Sequence, residues 1–570
     1  MSVSRPTSAR GLYRALTDRV MNHKSTQAHQ WATRFFTLLP GRFDDPIQCR
    51  LLESTIGETQ SEYEALSYTW GDATDKVQIS VNDRPFSVTK NLEITLRHLR
   101  LENRNRVLWA DALCINQSDV SEVSTHVQRM WAIYENASRV VVFLGPRAEG
   151  SDEAIGLLSE LSEMHIGTEH HHLITAMLDD PRRAESWQRL LRLMQRPWWM
   201  RAWVIQEYAV ARQVVFVCGT AELPNEDFGK ALQVLIDYKF NGLLRPDHHR
   251  LIRHIANTPI NHMWSTRQAY QTSEPGCRPD LAAVVYRFRG HQALDPRDKI
   301  YSLYKLIEES PRLAPDYTRS VVDLYKDVAE VMMETSGTLE VLSHHNRNIQ
   351  GGIEGLPTWC PDWTVLRGKR ILLWPNGYRA AGRLLHESSF FRIENNTLRL
   401  RGKIVGRVKW RHGFESEDFD SQEGIYRAIQ HIESVARQMI NPDDDGAFDD
   451  AFRRTLVAAR VRMKGPSREA KVLGPNAADA LWLAWSSQMQ RQPCDTALAK
   501  RYNDALYSAL SGRAFVVAEG GAMGLVDGTV RVGDVICVFS RGRVPLALRP
   551  TEPSPTSNSA PKRYELVGEW

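Results

Sequence analysis

From residue 63 onward the chain switches repeatedly between two hydrophobic periods. Residues 63–71 put Leu66, Tyr68 and Trp70 on one side and close on Gly71, the pattern of a strand ended by a turn. Residues 77–88 predict a hairpin that turns at Asn82-Asp83. Leu92, Leu96 and Leu99 give a helix over 91–101 one apolar face. A short buried strand is expected over 107–111 and a loop over 112–117. The next helix carries Val123, Val127, Met130, Tyr134 and Ala137 on its inner face, opened by Asp119 and Glu122 in capping-box order. Residues 139–145 (RVVVFLG) and 213–219 (QVVFVCG) are continuously apolar, as strands covered on both faces are. The order strand, helix, strand, helix, strand predicts an α/β fold on a parallel sheet.

Beyond this region the periodicity loosens. Residues 146–196 read as a helical insertion, 198–211 as a further helix and 225–345 as mainly helical. Residues 357–411 mix Trp/Pro loops with short strands such as 397–401, and 421–510 return to helix. Residues 513–570 alternate short strands with glycine turns, a small antiparallel or barrel-like unit. The expected divisions are a loose basic tail (1–30), a domain over 31–220 with core motifs at 63–145 and 196–219, a helical region (221–355), a mixed region (356–512), and the β unit (513–570) with a polar loop at 551–562.

Composition narrows the function classes. The 570 residues carry 72 Lys+Arg and 68 Asp+Glu, a net charge of +4, which does not fit a protein held to a polyanion by bulk charge. No nucleic-acid partner is expected. No run of apolar residues has the length of a membrane span, and no apolar leader opens the chain. The 7 cysteines are scattered without a C-x-x-C pair, which favours a reducing compartment and a cytoplasmic protein. There is no phosphate-binding loop, nucleophile elbow or H-E-x-x-H helix. Gly520–Gly524 lies between strands, where a dinucleotide loop would not be. Residues 441–452 imitate a calcium loop but end on Phe452 where a glutamate is needed, so they read as a solvated acidic loop. His165 with His170, His171 and His172 lacks a second ligand cluster at fixed spacing and reads as a polar insertion loop, so no metal site is expected. Cys114 reads as a small buried residue at a strand end. Tryptophan is unusually frequent, with 16 residues against 17 each of Tyr and Phe.

Several blocks occur in an order that resembles a known family. They are YEALSYTWG (63–71), NLEITLRHLR (91–100), LWADALCINQ (108–117), IYENASRVVVFLG (133–145) and RPWWMRAWVIQE (196–207). Together they resemble the HET (heterokaryon incompatibility) domain of filamentous fungi. DPRDKIYSLYKL (295–306), PDYTRSVVDLYKDVA (315–329) and LPTWCPDW (356–363) extend the resemblance over most of 60–570. Two departures stand out: Val123 follows Glu122 where the family has Arg, and His126 stands where it has Gln. The chain also ends at YELVGEW, where members of the family often continue through one more strand. The resemblance implies a role in non-self recognition, through self-association or a protein partner, with growth arrest and programmed cell death as the outcome. It equally allows an accessory HET protein without toxicity, as some encoded near secondary-metabolite genes are.

HET domains are similar in outline to TIR domains, so the resemblance implies a TIR/flavodoxin-like parallel sheet here. Some TIR domains cleave NAD through a glutamate in a Trp-x-x-x-Glu helix, and Trp203 and Glu207 have that spacing. On this reading Glu207 is the catalytic carboxylate and NAD is a substrate; no bound cofactor is implied. The residues themselves place Trp199, Trp203 and Glu207 at i, i+4 and i+8 on one helix face. Glu207 has no cation at i±3 or i±4, so it is either functional or paired at long range, with Arg201 and Arg212 as partners. Tyr68, Trp70 and Gly71 belong to the first family block. Asp111 ends a strand where open α/β sheets place ligands. Asn116 and Gln117 either read a ligand or pin their loop. Glu122 is the third helical residue of a capping box, and Asp295 to Asp298 reads as an N-cap with proline at N1.

Overall fold

A computed structural model describes residues 31–56, 63–164, 168–241, 248, 251–252, 254–255, 259–272, 279–307, 310–344, 352–365, 378, 380–381, 390–414, 416–419, 421–462, 470–472, 478–551 and 563–570. The expected tail (1–30) and nearly all of the expected loop (551–562) lie outside the described residues. The chain divides into two compact units, Met1–Arg319 and Ser320–Trp570.

The first unit is built on nine strands: β1 (Trp31–Leu38), β2 (Gln48–Ile56), β3 (Glu64–Tyr68), β4 (Lys76–Val81), β5 (Arg84–Thr89), β6 (Arg106–Trp109), β7 (Arg139–Gly145), β8 (Val214–Cys218) and β9 (Ala221–Pro224). They form one sheet in the order β5-β4-β2-β1-β6-β3-β7-β8-β9. Only β6, β3, β7 and β8 run parallel to their neighbours in an unbroken block; β1 joins β6 antiparallel, and β9 joins β8 antiparallel. The expected parallel sheet is therefore the centre of a larger mixed sheet. β7 is buried along Val140–Leu144, as its apolar run requires. The β4–β5 hairpin turns at Asn82 and Asp83, both with positive φ (51° and 59°), the primed turn that matches strand twist.

Helices cross between these strands. α1 (Lys90–Leu99) buries Leu92, Leu96 and Leu99. α2 (Val120–Asn136) is capped by Asp119, whose carboxylate accepts from Ser121 N and Glu122 N. The insertion holds α3 (Ser151–Ser162), α4 (Thr168–Asp179) and α5 (Ala184–Met194). Then come α6 (Trp203–Val210), α7 (Asn225–Asn241), α8 (Pro259–Thr272) and α9 (Leu281–Phe288). The helix expected over 198–211 is broken. Pro197–Met200 is a 3-10 turn, Arg201 is extended (φ −77°, ψ 140°), and the α-helix starts only at Trp203. The cause is tertiary: Ala202 N donates to Gln292 O at 2.9 Å and Arg201 bridges to Gln292, so a second strand-like contact claims this backbone.

The second unit opens with α10 (Val321–Ser336), capped by Ser320 and ended by Gly337 in the left-handed region. β10 (Phe391–Glu394) and β11 (Thr397–Leu400) form a separate two-stranded hairpin. β12 (Gly402–Gly413), α11 (Gln422–Ile440) and α12 (Asp445–Leu456) follow, then α13 (Asp479–Met489) and α14 (Thr496–Leu510). For continuity of strand numbers, Arg460–Arg462 and Ala470–Val472 are β13 and β14, a short antiparallel pair. The carboxyl-terminal strands are β15 (Arg513–Ala518), β16 (Met523–Asp527), β17 (Val535–Phe539), β18 (Leu546–Pro550) and β19 (Tyr564–Glu569). The six-stranded antiparallel sheet has the order β16-β15-β12-β17-β18-β19, so the expected β unit takes its central strand from upstream, at 402–413.

Period-two alternation lets this sheet serve two cores. Phe515 and Val517 of β15 face the helices, with Ile425, Ile429, Trp485 and Tyr502. Ala514 and Val516 face the other way, onto Val408, Ile536, Ala547 and Val567. The expected acidic loop at 441–452 is a helix junction instead. Asn441 ends α11 in the left-handed region, Asp444 caps α12 through Gly446 N and Ala447 N, and Phe452 is core. Among the described residues, no helix is long and apolar enough to cross a membrane.

Candidate functional site

The parallel strands set the place of the site. The chain leaves β3 for β6 on one side, then returns over β3 to β7 on the other. Neighbouring strands β3 and β6 thus send their connections in opposite directions, and the crevice at their carboxyl ends is a switch point of the sheet. Ser67, Tyr68 and Trp70 end β3, Asp111 follows β6, and Arg201 to Glu207 lead toward β8.

An outer, half-buried layer consists of Trp70, Asp111 and Arg201. The Trp70 indole N–H donates to both Asp111 oxygens, at 3.2 and 3.0 Å, bridging the two strand ends. Asp111 Oδ1 also accepts from Ala112 N at 2.8 Å, at the start of the short helical turn Asp111–Cys114. Burial raises the Asp111 pKa, and the nearby Arg201 charge opposes that rise. Arg201 itself donates to the Tyr68 carbonyl. Gly71, with φ of 73°, closes the strand, and a Cβ there would lie 2.6 Å from the Asn91 amide.

Behind that layer lies a sealed one. Glu207 is 4% exposed and Tyr68 2%. Ser67 Oγ donates to Glu207, and Trp198 Nε1 donates to Ser67 Oγ at 2.8 Å. The Tyr134 hydroxyl bonds the Leu66 carbonyl at 3.2 Å and also reaches Glu207. Loss of water pushes the Glu207 pKa up to about 7, against the pull of Arg201 and the hydrogen bonds. The Tyr68 hydroxyl, buried among these carboxylates, is held far above its ordinary range.

The break at Arg201 takes Trp199 off the helix face expected for it, while Trp203 and Glu207 stay four residues apart on α6. Trp199 belongs to the 3-10 turn, stacks on Phe228 with centroids 5.6 Å apart, and donates to Leu193 O at 3.0 Å. Trp203 turns to Asp298, whose carboxyl also accepts from the Tyr317 hydroxyl at 2.6 Å. Burial raises the Asp298 pKa to about 6. Of the two arginines considered for Glu207, Arg201 supplies the field; Arg212 acts electrostatically on Tyr63.

The loop residues Asn116 and Gln117 bond back onto their own loop. Asn116 Oδ1 accepts from Ser118 N at 3.2 Å and from Ser118 Oγ at 2.7 Å. Gln117 Nε2 donates to the Asp111 carbonyl at 2.9 Å. Glu122 receives its cap from Asp119, but its own carboxylate goes elsewhere. It pairs with Arg34 of β1 at 2.6 Å and accepts from Asn116 N at 2.8 Å. His126 completes this buried group, with Nε2 3.2 Å from Thr33 Oγ1 and Nδ1 2.9 Å from Glu122 O. Cys114 is fully buried, and burial pushes its thiol far above the reactive range. The expected N-cap at Asp295 is a local turn instead: Asp295 Oδ1 accepts from Arg297 N at 2.9 Å, while the short helix Asp298–Tyr301 starts after Arg297 without a side-chain cap. Ser67, Tyr134, Trp198, Arg34 and Asp298 complete these networks. The family blocks contain Ser67, Tyr134 and Trp198, but no pairing signal in the sequence ties them to Glu207.

Residues 63–207 match the family described as Heterokaryon incompatibility protein (HET). The chain carries a HET domain. The match runs from the residue before β3 to Glu207, so the switch-point cluster is HET-domain architecture. The chain is also similar to Heterokaryon incompatibility protein 6, OR allele, of Neurospora crassa: 24% identical, with 92% of this chain and 91% of the relative covered. No solved structure matches.

Proposed function

We propose that the chain is a fungal incompatibility effector, whose HET domain acts through self-association or a protein partner to trigger growth arrest and cell death. The observation that carries this reading is the likeness to a heterokaryon incompatibility protein along nearly the whole chain, HET domain and second unit together. The order β6-β3-β7-β8, second-first-third-fourth in the chain order of the parallel strands, supports a TIR/flavodoxin-like core. The buried free thiols at Cys49, Cys114, Cys218, Cys360 and Cys537 support a reducing, cytoplasmic setting. Near-balanced charge argues against a nucleic-acid partner.

The geometry favours a positioning role for Glu207 over a catalytic one. A catalytic carboxylate must touch substrate, yet Glu207 is sealed behind Trp70, Asp111 and Arg201 and occupied by Ser67 and Tyr134. The competing NAD-cleaving reading draws on one observation, a carboxyl titrating near neutrality at the switch point. In that reaction the Glu207 carboxylate would hold the ribose hydroxyls and stabilise oxocarbenium character as nicotinamide leaves and water adds.

Inducible expression of the full chain in a filamentous fungus tests the effector reading. Growth arrest is expected, and Glu207→Gln, which keeps the shape and hydrogen bonds of the side chain, should retain it. Normal growth at high expression would instead favour an accessory HET protein. The purified full chain incubated with NAD should release no nicotinamide. Release that Glu207→Gln abolishes while the protein stays folded would establish the enzymatic reading.

A further inference from the structure

We propose that His170, His171 and Asp237 bind a divalent first-row transition-metal ion, Zn2+ being the matching case. The two histidines, expected in a polar loop, lie on α4, and Asp237 lies on α7, which packs beside it. His170 Nε2 is 3.0 Å and His171 Nε2 2.7 Å from the same Asp237 oxygen. The three donor atoms all lie within 4.8 Å of one another. Consecutive helical residues diverge by about 100° around the axis, so helix geometry alone sends their rings apart. Here both rings turn to one carboxylate, in edge contact with centroids 4.2 Å apart. A second contact holds the helices in register: Thr175 Oγ1 donates to the His171 carbonyl at 2.8 Å and lies 2.9 Å from the Tyr238 hydroxyl.

The donor set and spacing suit such an ion. Two imidazoles and a carboxylate suit zinc and its neighbours better than the oxygen-seeking Ca2+ or Mg2+. Around a tetrahedral ion with bonds of about 2.0–2.2 Å, donors stand about 3.3–3.6 Å apart, so the two histidine-to-carboxylate distances of 3.0 and 2.7 Å need to open by less than about 1 Å. His170 is nearly inaccessible, at 1%, while the His171 and Asp237 side chains are 18% and 24% exposed. One flank is thus walled by protein and the other admits the ion and a water ligand. The bound ion would staple α4, in the insertion that the HET motifs frame, to α7, which follows β9.

The test uses the full-length protein, stripped with a chelator and titrated with ZnCl2 by calorimetry, with Co2+ absorption as a spectroscopic readout. One ion per chain is expected, with a rise in Tm and with Co2+ bands of four- or five-coordinate intensity. Loss of an outer partner costs a metal site about 10–100-fold, so Asp237→Asn or His171→Ala should weaken binding at least about tenfold. Asp237→Asn keeps side-chain shape, and circular dichroism of the metal-free variants checks that they fold. No binding, or binding unchanged in both Asp237→Asn and His171→Ala, would overturn the assignment and leave a hydrogen-bonded His-His-Asp cluster.

Discussion

At the scale of single residues, the distinctive feature of the HET domain is a carboxyl kept in the dark. Glu207 titrates near 7 because burial outweighs Arg201 and the hydrogen bonds, and this has a stability consequence whose sign is definite. The folded state holds the proton more tightly than the unfolded chain does. Glu207 therefore contributes stability below the ordinary value of 4.5 that is lost as pH rises through about 7. Across that window each pH unit is worth up to about 1.4 kcal/mol. Glu207→Gln should flatten the fall in Tm between mildly acidic and mildly alkaline buffer, and at alkaline pH the variant should be no less stable than the parent. A steeper fall in the variant would contradict this account. Asp298, raised to about 6 under Trp203, adds a smaller slope of the same sign, which remains in the variant.

At the scale of elements, α2 offers the cleanest test. Its N-cap Asp119 accepts from the backbone N–H groups of Ser121 and Glu122. Asp119→Ala should lower stability by about 1 kcal/mol, read by urea unfolding, without disturbing Glu122, whose partners are Arg34 and Asn116. The elements legible in the sequence were those whose inner positions are all apolar: β7, β8, the face of α1, the hairpin at Asn82-Asp83. β1 escaped because its buried positions include Thr33 and Arg34, which break hydrophobic alternation while serving a polar partner on α2. The helix over 198–211 was overextended because its break is imposed by Gln292, far along the chain, and local propensity carries no trace of that. The same limit hid the cluster around Glu207. Its outer members lie in family blocks, but only the parallel pairing of β3 with β6 and β7 brings Ser67, Asp111 and Glu207 together. The histidine pair was read as loop because its carboxylate partner stands 66 residues away on another helix.

At the scale of the whole molecule, each unit is built around its own main sheet, and each closes that sheet with strands distant in the chain. In the second unit the buried Arg513–Glu569 pair ties the first and last of the carboxyl-terminal strands together. In the first, the pair Arg34–Glu122 does the same for β1 and α2. That second tie sets where the gene can be cut. A fragment trimmed to the matched stretch 63–207 would omit β1 and β8, baring the edges of β6 and β7 to other chains. It would also strand Glu122 in the interior without its cation, a defect of about 3–5 kcal/mol. Such a fragment should collect in inclusion bodies, whereas one ending at Arg319 should remain monodisperse on gel filtration. For expression work, the sheet that carries the matched stretch begins upstream of it, at β1.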